Sequence, residues 1–280
     1  MADFETNINK PIKIVDCFIF YNELDLLTYR LNILNDVVDH FIIAESTHTH
    51  FGKEKPLIFN ENKHLFEDFS HKIIHIIVDD FPYKYPNINI QNGDQWANEN
   101  RQRNYLKLGV EQLQLNDDDV IMITDLDEIP DPNTLLRIKN NEIRIVDIQA
   151  LQMDIYNFNL NTKSTDPWLK PKILLFKKYK ELASSKTFSD IRFWENCEII
   201  NNGGWHLSYF GDSNFIKNKI ENFTHQEYNN DNYANIEIIE KKMKTFENLF
   251  NDSKLIKIYI KDNNYLPPEY EKYLSKYVVE

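Results

Sequence analysis

Cysteine is nearly absent from this chain. Cys17 and Cys197 are the only two among 280 residues, far apart and each in an apolar or strand-like stretch. A disulfide-stapled scaffold is thereby excluded. The two thiols could be buried separately or joined in one bridge, and separate burial is expected because a chain of this length needs no staple. No Cys/His spacing resembles a zinc site. No apolar run approaches the roughly 18–20 residues of a membrane span. The N-terminal MADFETNINKPIKIVDCFIF lacks the basic segment followed by an apolar one that marks a signal peptide. A soluble, cytoplasmic protein is the expectation, and the sequons at Asn222 and Asn251 mean little without a secretion signal. Basic charge is short as well. The formal net charge of −12 gives no overall field to attract nucleic acid or anionic membrane. A local basic pocket for an anion, or carboxylates around a divalent cation, both stay open. Repeats, Gly/Ser linkers and long charge blocks are missing too.

What is present is enough apolar sequence, 42%, to bury a core. The aromatic share of 13% suits core packing and also sugar-stacking surfaces. Residues 12–20 (IKIVDCFIF), 37–44, 72–78 and 119–124 read as strands. Leu24, Leu27, Leu31 and Leu34 predict a helix after the first strand, and Trp96, Leu106, Val110 and Leu113 a helix over 95–115. Strands alternating with helices predict an α/β fold with a mostly parallel sheet flanked by helices. Ligands then sit beyond the carboxyl ends of the strands. That rim would carry Asn22 and Glu23, Glu45 and Ser46, Asp79 and Asp80, and Asp125 to Glu128. Short strand-like runs at 144–151, 155–160, 172–178 and 205–210 suggest an antiparallel, acceptor-side layer. Helices are expected over 212–224 and 235–250, the second with Ile236, Ile239, Met243, Phe246 and Phe250 on its core face. The tail LPPEYEKYLSKYVVE is expected on the surface. One domain over 1–280 results, with a donor-binding half (12–130), an acceptor-side half (131–211) and a C-terminal helical segment (212–280).

Three motifs carry chemistry. In DDDVIMITDLDEIPDP a strand runs into Asp125 and Asp127, two carboxylates at i and i+2 that suit Mg²⁺ or Mn²⁺. The plain alternative is an acidic turn with Asp131 capping a helix. Asp117, Asp118 and Asp119, before the strand, read as a solvated turn. In NNGGWHLSYFGD, Gly203 and Gly204 would let backbone approach a ligand, with His206 beside them as a phosphate or metal contact or a structural histidine. In WANENRQRNYLKLG, Arg101 and Arg103 suit diphosphate oxygens or a solvated helix face.

Taken in order, DCFIFYNELDLLTYRLNILNDVVDHFIIAEST with GKEKPLIF, then ENRQRN, DLDEIP, GGWHLSYFG and KIENFTHQE resemble glycosyltransferase family 17, over about residues 14–227. The resemblance implies a GT-A fold, a nucleotide-sugar donor such as UDP-N-acetylglucosamine, a glycan or glycoprotein acceptor, and inversion at the anomeric carbon. It implies that Asp125 and Asp127 hold Mn²⁺ (or Mg²⁺) and the donor, with Gly203, Gly204 and His206 close by. Golgi members carry a membrane anchor and stem that this sequence lacks, so a microbial or viral glycan is as fitting an acceptor as an N-glycan.

On that basis Asp127 and His206 are assigned to the metal, and Asp125 to the metal and the donor ribose. Arg101 or Arg103 is assigned to the diphosphate, and Asn22, Glu23 and Glu45 to the donor. The catalytic base is expected to be Glu195 first and Asp154 second. Trp168, Trp194 and Trp205 are stacking candidates or core residues. Two competing readings are a haloacid-dehalogenase-like phosphatase with Asp125 as nucleophile, and a non-catalytic binding protein on a degenerate transferase fold.

Overall fold

Alternation on β-branched strands decides the architecture. In β1 (Ile14–Phe20), Ile14, Phe18 and Phe20 face one side while Val15 and Cys17 face the other; β2 (His40–Ser46) splits Phe41 and Ile43 from Ile42 and Ala44 in the same way. Both faces are apolar, which is the signature of a strand buried on both sides. The computed structural model describes residues 11–250 and 253–279; the first ten residues and Asn251 of the second sequon lie outside them.

Further strands are β3 (Ile73–Val78), β4 (Val120–Asp125), β5 (Glu128–Pro130), β6 (Gln149–Asn157), β7 (Thr162–Ser164), β8 (Lys172–Leu175), β9 (Glu198–Ser208) and β10 (Leu255–Lys257). They form one sheet in the order β10-β7-β6-β8-β4-β1-β2-β3, with β9 joined to β6 and β5. β3, β2, β1 and β4 are mutually parallel, and β8 adds antiparallel to β4. The helix Leu24–Leu34 packs on one face through Leu26, Leu27, Leu31 and Leu34; Leu106 and Val110 cover the other. The result is a mixed α/β fold, as the alternating pattern predicts. The antiparallel strands extend the parallel core within the same sheet. A third cluster, Phe158, Ile216, Ile220, Ile239 and Leu249, holds the C-terminal helices. Among the described residues no helix is long and apolar enough to cross a membrane.

Several boundaries differ from expectation for local reasons. Of the runs 144–151 and 155–160, the parts within 149–157 join in one strand, β6, whose polar Gln152 and Asp154 interrupt the apolar pattern without ending it, while 144–148 and 158–160 lie outside it. The run 172–178 stops at Leu175, where the helix Phe176–Leu182 begins; the run at 205–210 is the end of β9. The helix at 235–250 stops at Thr245 because Phe246 takes a left-handed conformation, φ 57°. Asp119 is no solvated turn residue: it is buried and accepts from the backbone N–H groups of Lys13 and Asn116. The C-terminal tail is not wholly on the surface, since Leu274 and Tyr277 enter the main core. Cys17 is a buried free thiol, whereas Cys197 is free but only partly buried.

Candidate active site

Strands β1, β2 and β4 run parallel, so their carboxyl ends open on one rim. There a cavity of about 800 Å³ is lined by Phe20 and Glu23 beyond β1, by Ser46 and His48 to His50 beyond β2, and by Asp125 to Glu128 beyond β4.

The loop leaving β4 is held by Arg30, on the helix Leu24–Leu34. Arg30 is fully buried and binds both oxygens of buried Asp16, at 2.6 and 2.8 Å. Its Nη1 donates to the carbonyl oxygens of Asp125, Leu126 and Glu128 at 3.1, 3.0 and 2.7 Å. A guanidinium with every N–H used fixes the shape of an acidic loop through its main chain.

The side chains of that loop are locked by a second ionic layer. Glu128 accepts from Arg192 Nη1 and Nη2 (2.8 and 2.5 Å), from the Trp168 indole N–H (2.5 Å) and from the Asp125 amide (2.8 Å). The two oxygens of Asp125 accept separately from Arg103 (3.1 Å) and Arg192 (2.8 Å). Arg103, fully buried, also pairs with Glu99 at 2.7 Å. Burial opposes ionisation of Glu99, but Arg103 and His50 prevail and hold its carboxyl at about 2.

Asp127 faces the cavity differently. Its Oδ2 accepts from the Lys219 ammonium at 2.9 Å, and its Oδ1 lies 3.6 Å from His206 Nε2. Burial raises its affinity for a proton, yet Lys219 and His206 outweigh burial and keep the carboxyl well below the usual carboxylate range. Lys219 is shifted the other way: desolvation opposes its charge, but Asp127 and Glu23, the latter at 3.5 Å, hold it charged. His206 arrives by strand pairing. β5 runs antiparallel to β9 with Glu128 opposite His206 and Pro130 opposite Gly204, and the Leu207 amide donates to the Asp127 carbonyl at 2.7 Å. The His206 ring packs against Trp168 at a 34° tilt, centroids 4.7 Å apart, and its Nδ1 is buried without a partner among the described residues.

The far end of the cavity is aromatic. Trp96, Phe223, His225, Tyr228 and Phe250 line it, with Tyr228 stacked on Phe250 at 4.0 Å and His225 edge-on to Trp96 at 4.7 Å.

Of the rim and site residues singled out in the sequence, Glu23, Ser46, Asp125, Asp127, Glu128, His206 and Trp168 line this cavity. The others stand elsewhere. Asn22 lines a neighbouring cavity of about 620 Å³ that shares Glu23. Glu45 is fully buried and accepts from the amides of Phe59 and Asn60 and from His75. Arg101 is exposed and paired with Asp80, and Arg103 lies behind Asp125 as its clamp. Gly203 and Gly204 serve strand packing: a Cβ on Gly203 would meet Leu151 Cβ at 2.7 Å, and one on Gly204, at φ 138°, would meet the Ile129 carbonyl oxygen at 2.0 Å. Asp154 pairs with Lys163 at 2.6 Å on the opposite side of β6 from cavity-lining Ile155. Glu195 is exposed outside the cavity. Trp205 is core, donating to the Tyr265 carbonyl, and Trp194 packs on the second cluster. The plain alternative for the acidic motif holds in one part: Asp131 caps the helix Pro132–Lys139. Each oxygen of Asp125 is paired with a guanidinium, which blunts it as a nucleophile and weighs against the phosphatase reading.

Arg30, Arg192 and Lys219 are among the site residues that the sequence reading does not single out. Arg30 lies in the helix read from the Leu24–Leu34 spacing. Arg192 opens RFWEN, the stretch that carries Glu195. Lys219 sits in KNKIEN, inside the stretch that carries the family resemblance, and its conjunction with a helix start at Asp212 was the available signal.

A family model described as Glycosyltransferase family 17 matches residues 4–253. Beta-1,4-mannosyl-glycoprotein 4-beta-N-acetylglucosaminyltransferases of Rattus norvegicus and Homo sapiens are each 35% identical over 133 residues, which is 46% of this chain and 24% of theirs. The match thus spans about a quarter of the length of these curated relatives. Among solved structures, 4-diphosphocytidyl-2C-methyl-D-erythritol synthase from Anaerococcus prevotii aligns with 74% of this chain and 94% of its own at 10% identity and a TM-score of 0.40, too loose a likeness to bear on function. With a match over nearly its whole length, and with the acidic loop, the GGWH strand and the helix of Lys219 meeting in one cavity, the chain belongs to glycosyltransferase family 17.

Proposed function

We propose that the chain transfers a sugar from a nucleotide-sugar to a hydroxyl of a glycan or glycoprotein acceptor, with UDP-N-acetylglucosamine as donor and inversion at the anomeric carbon, on a GT-A-type frame. The observation that carries this reading is the meeting of Asp127, His206 and Lys219 at the carboxyl rim of a parallel sheet. A departing nucleoside diphosphate needs positive charge already in place. Lys219 and Lys170 line the cavity and can provide it, Lys219 from within its pairs with Asp127 and Glu23; Arg192, buried between Asp125 and Glu128, serves the acidic loop. The diphosphate role therefore passes from Arg101 and Arg103 to these lysines.

A divalent cation fits two of the expected ligands. Asp127 Oδ1 and His206 Nε2 offer one oxygen and one nitrogen 3.6 Å apart on the cavity wall. The imidazole tilts the choice toward Mn²⁺ over Mg²⁺, which prefers oxygen. Asp125 does not fit as a direct ligand, because each of its oxygens faces a guanidinium. Among the described residues no group of three or more His, Cys, Asp or Glu could hold a metal alone, so donor phosphates and water would complete the shell. When bound, the ion would neutralise charge on the leaving diphosphate.

The test is a thermal-shift panel of nucleotide-sugars with and without Mn²⁺, on wild type and Asp127→Ala. A ligand at about 100 times its Kd stabilises the fold by about 2.7 kcal/mol. A shift with UDP-N-acetylglucosamine that needs both Mn²⁺ and Asp127 supports the reading. No shift with any nucleotide-sugar in a folded sample overturns it.

A further inference from the structure

Inverting transfer needs a base that can take a proton from the acceptor hydroxyl, and such a group has to face the cavity with an oxygen to spare. Six carboxylates line the cavity: Glu23, Glu99, Asp125, Asp127, Glu128 and Asp166. Five are committed. Lys219 holds Glu23 and Asp127, Arg103 holds Glu99, and Arg103 and Arg192 hold Asp125 and Glu128 between them. Asp166 is different. It is exposed at the rim, and among the described residues nothing donates to its carboxylate.

Its backbone, by contrast, is fixed. The Asp166 amide donates to Ser164 Oγ at 3.1 Å, just past β7. Pro167 follows, and then Trp168 bridges to β6 through both backbone bonds with Met153, each 2.9 Å. Trp168 in turn donates to Glu128 and packs at a tilt against His206. Two residues of chain span at most about 7 Å, so the Asp166 backbone is held close to that of Trp168. Inversion requires the acceptor oxygen to attack from the face opposite the departing diphosphate, and a free carboxylate on a pinned backbone, facing the cavity from the β6–β7 side and not from the loop of Asp127, is what a base there requires.

We propose that Asp166 is the general base of the transfer, an assignment that rests on the sugar-transfer reading above. The acceptor oxygen forms its bond to the anomeric carbon as the bond from that carbon to the diphosphate oxygen breaks. The electron pair of the broken bond leaves with the diphosphate. The hydroxyl proton passes to the Asp166 carboxylate and from there to water.

The experiment follows UDP release from UDP-N-acetylglucosamine with Mn²⁺, water serving as acceptor, in wild type, Asp166→Asn, Asp166→Glu and Glu195→Gln. Glu195 is included because it is the carboxylate the sequence points to, and it stands exposed outside the cavity lining. Donor-induced thermal shifts are recorded for each. The expected result is a loss of roughly 100- to 10,000-fold in Asp166→Asn, with the donor shift retained and partial return in Asp166→Glu. Sodium azide, a nucleophile that carries no proton to remove, restores UDP release in Asp166→Asn and yields a glycosyl azide. Wild-type turnover that survives in Asp166→Asn, or that is lost in Glu195→Gln instead, overturns the assignment and leaves the transfer reading standing. Absence of donor binding and of UDP release in wild type, with every nucleotide-sugar of the panel, overturns both.

Discussion

Glu128 stands directly opposite His206 in the antiparallel pairing of β5 with β9. The acidic loop and the imidazole are 78 positions apart in the chain (206 − 128), and this one register unites them. Gly204 makes the register possible, since any side chain there collides with the Ile129 carbonyl. Gly204→Ala should therefore both unfold more easily, by roughly 2–4 kcal/mol in a urea titration, and lose donor-induced stabilisation. A variant as stable as wild type that still responds to donor would refute the packing role given to this glycine.

Arg30→Ala removes the only cation bound to buried Asp16 among the described residues and frees three loop carbonyls. Leaving one partner of a buried pair costs about 3–5 kcal/mol. Chemical denaturation should report a loss of that order. Replacing Asp16 and Arg30 together should cost less than the sum of the single changes, and strict additivity would count against a direct pair.

Acid should expose the Glu99–Arg103 pair. The folded carboxyl sits at about 2, below its ordinary 4.5. The unfolded state thus binds more protons between those values, so the stabilisation is complete above about pH 5 and drains away as pH falls toward 2. The full effect is on the order of 3 kcal/mol. Glu99→Gln should be less stable than wild type at pH 7, and the gap should close by about pH 2. A constant gap across that window would mean that the carboxylate charge is not what the pair contributes.

Lys219→Ala and Asp127→Ala should behave unlike each other. Removing Lys219 leaves Asp127 and His206 in place and should weaken binding of UDP with or without Mn²⁺, by roughly 1.5–3 kcal/mol, the worth of a charged hydrogen bond. Removing Asp127 should abolish only the Mn²⁺-dependent part. Calorimetry with UDP should separate the two. Because the protein offers two ligands, Mn²⁺ alone should bind weakly and tighten once UDP is present. Equal metal affinity with and without UDP would contradict a shell completed by the nucleotide.

Much of this was legible beforehand, and the rest was hidden for definite reasons. The parallel core could be read because Ile, Val and Phe on β1, β2 and β4 pack against helices on both faces. The polar rim could be read because parallel strands must end together. What could not be read was the direction in which each charged side chain turns. Arg103 is two positions from Arg101, yet one is sealed behind Asp125 and the other lies on the surface with Asp80. Glu45 ends an apolar strand as Asp125 does, but the amides of Phe59 and Asn60 claim it. Glycines next to a histidine suggested a ligand cradle, whereas here they let two strands approach. Those outcomes depend on partners tens of residues away, which local spacing does not encode.

Arg30 grips main-chain oxygens of the acidic loop and none of its carboxylates. A peptide carbonyl is the same whatever residue carries it. The loop's shape is therefore partly independent of its reactive side chain: Asp127 can be exchanged while Arg30 keeps the curve that presents it, whereas Glu128 also ties the Asp125 amide. A lineage with this clamp can lose, swap or regain reactivity at the rim without first rebuilding the frame, and an engineer can do the same.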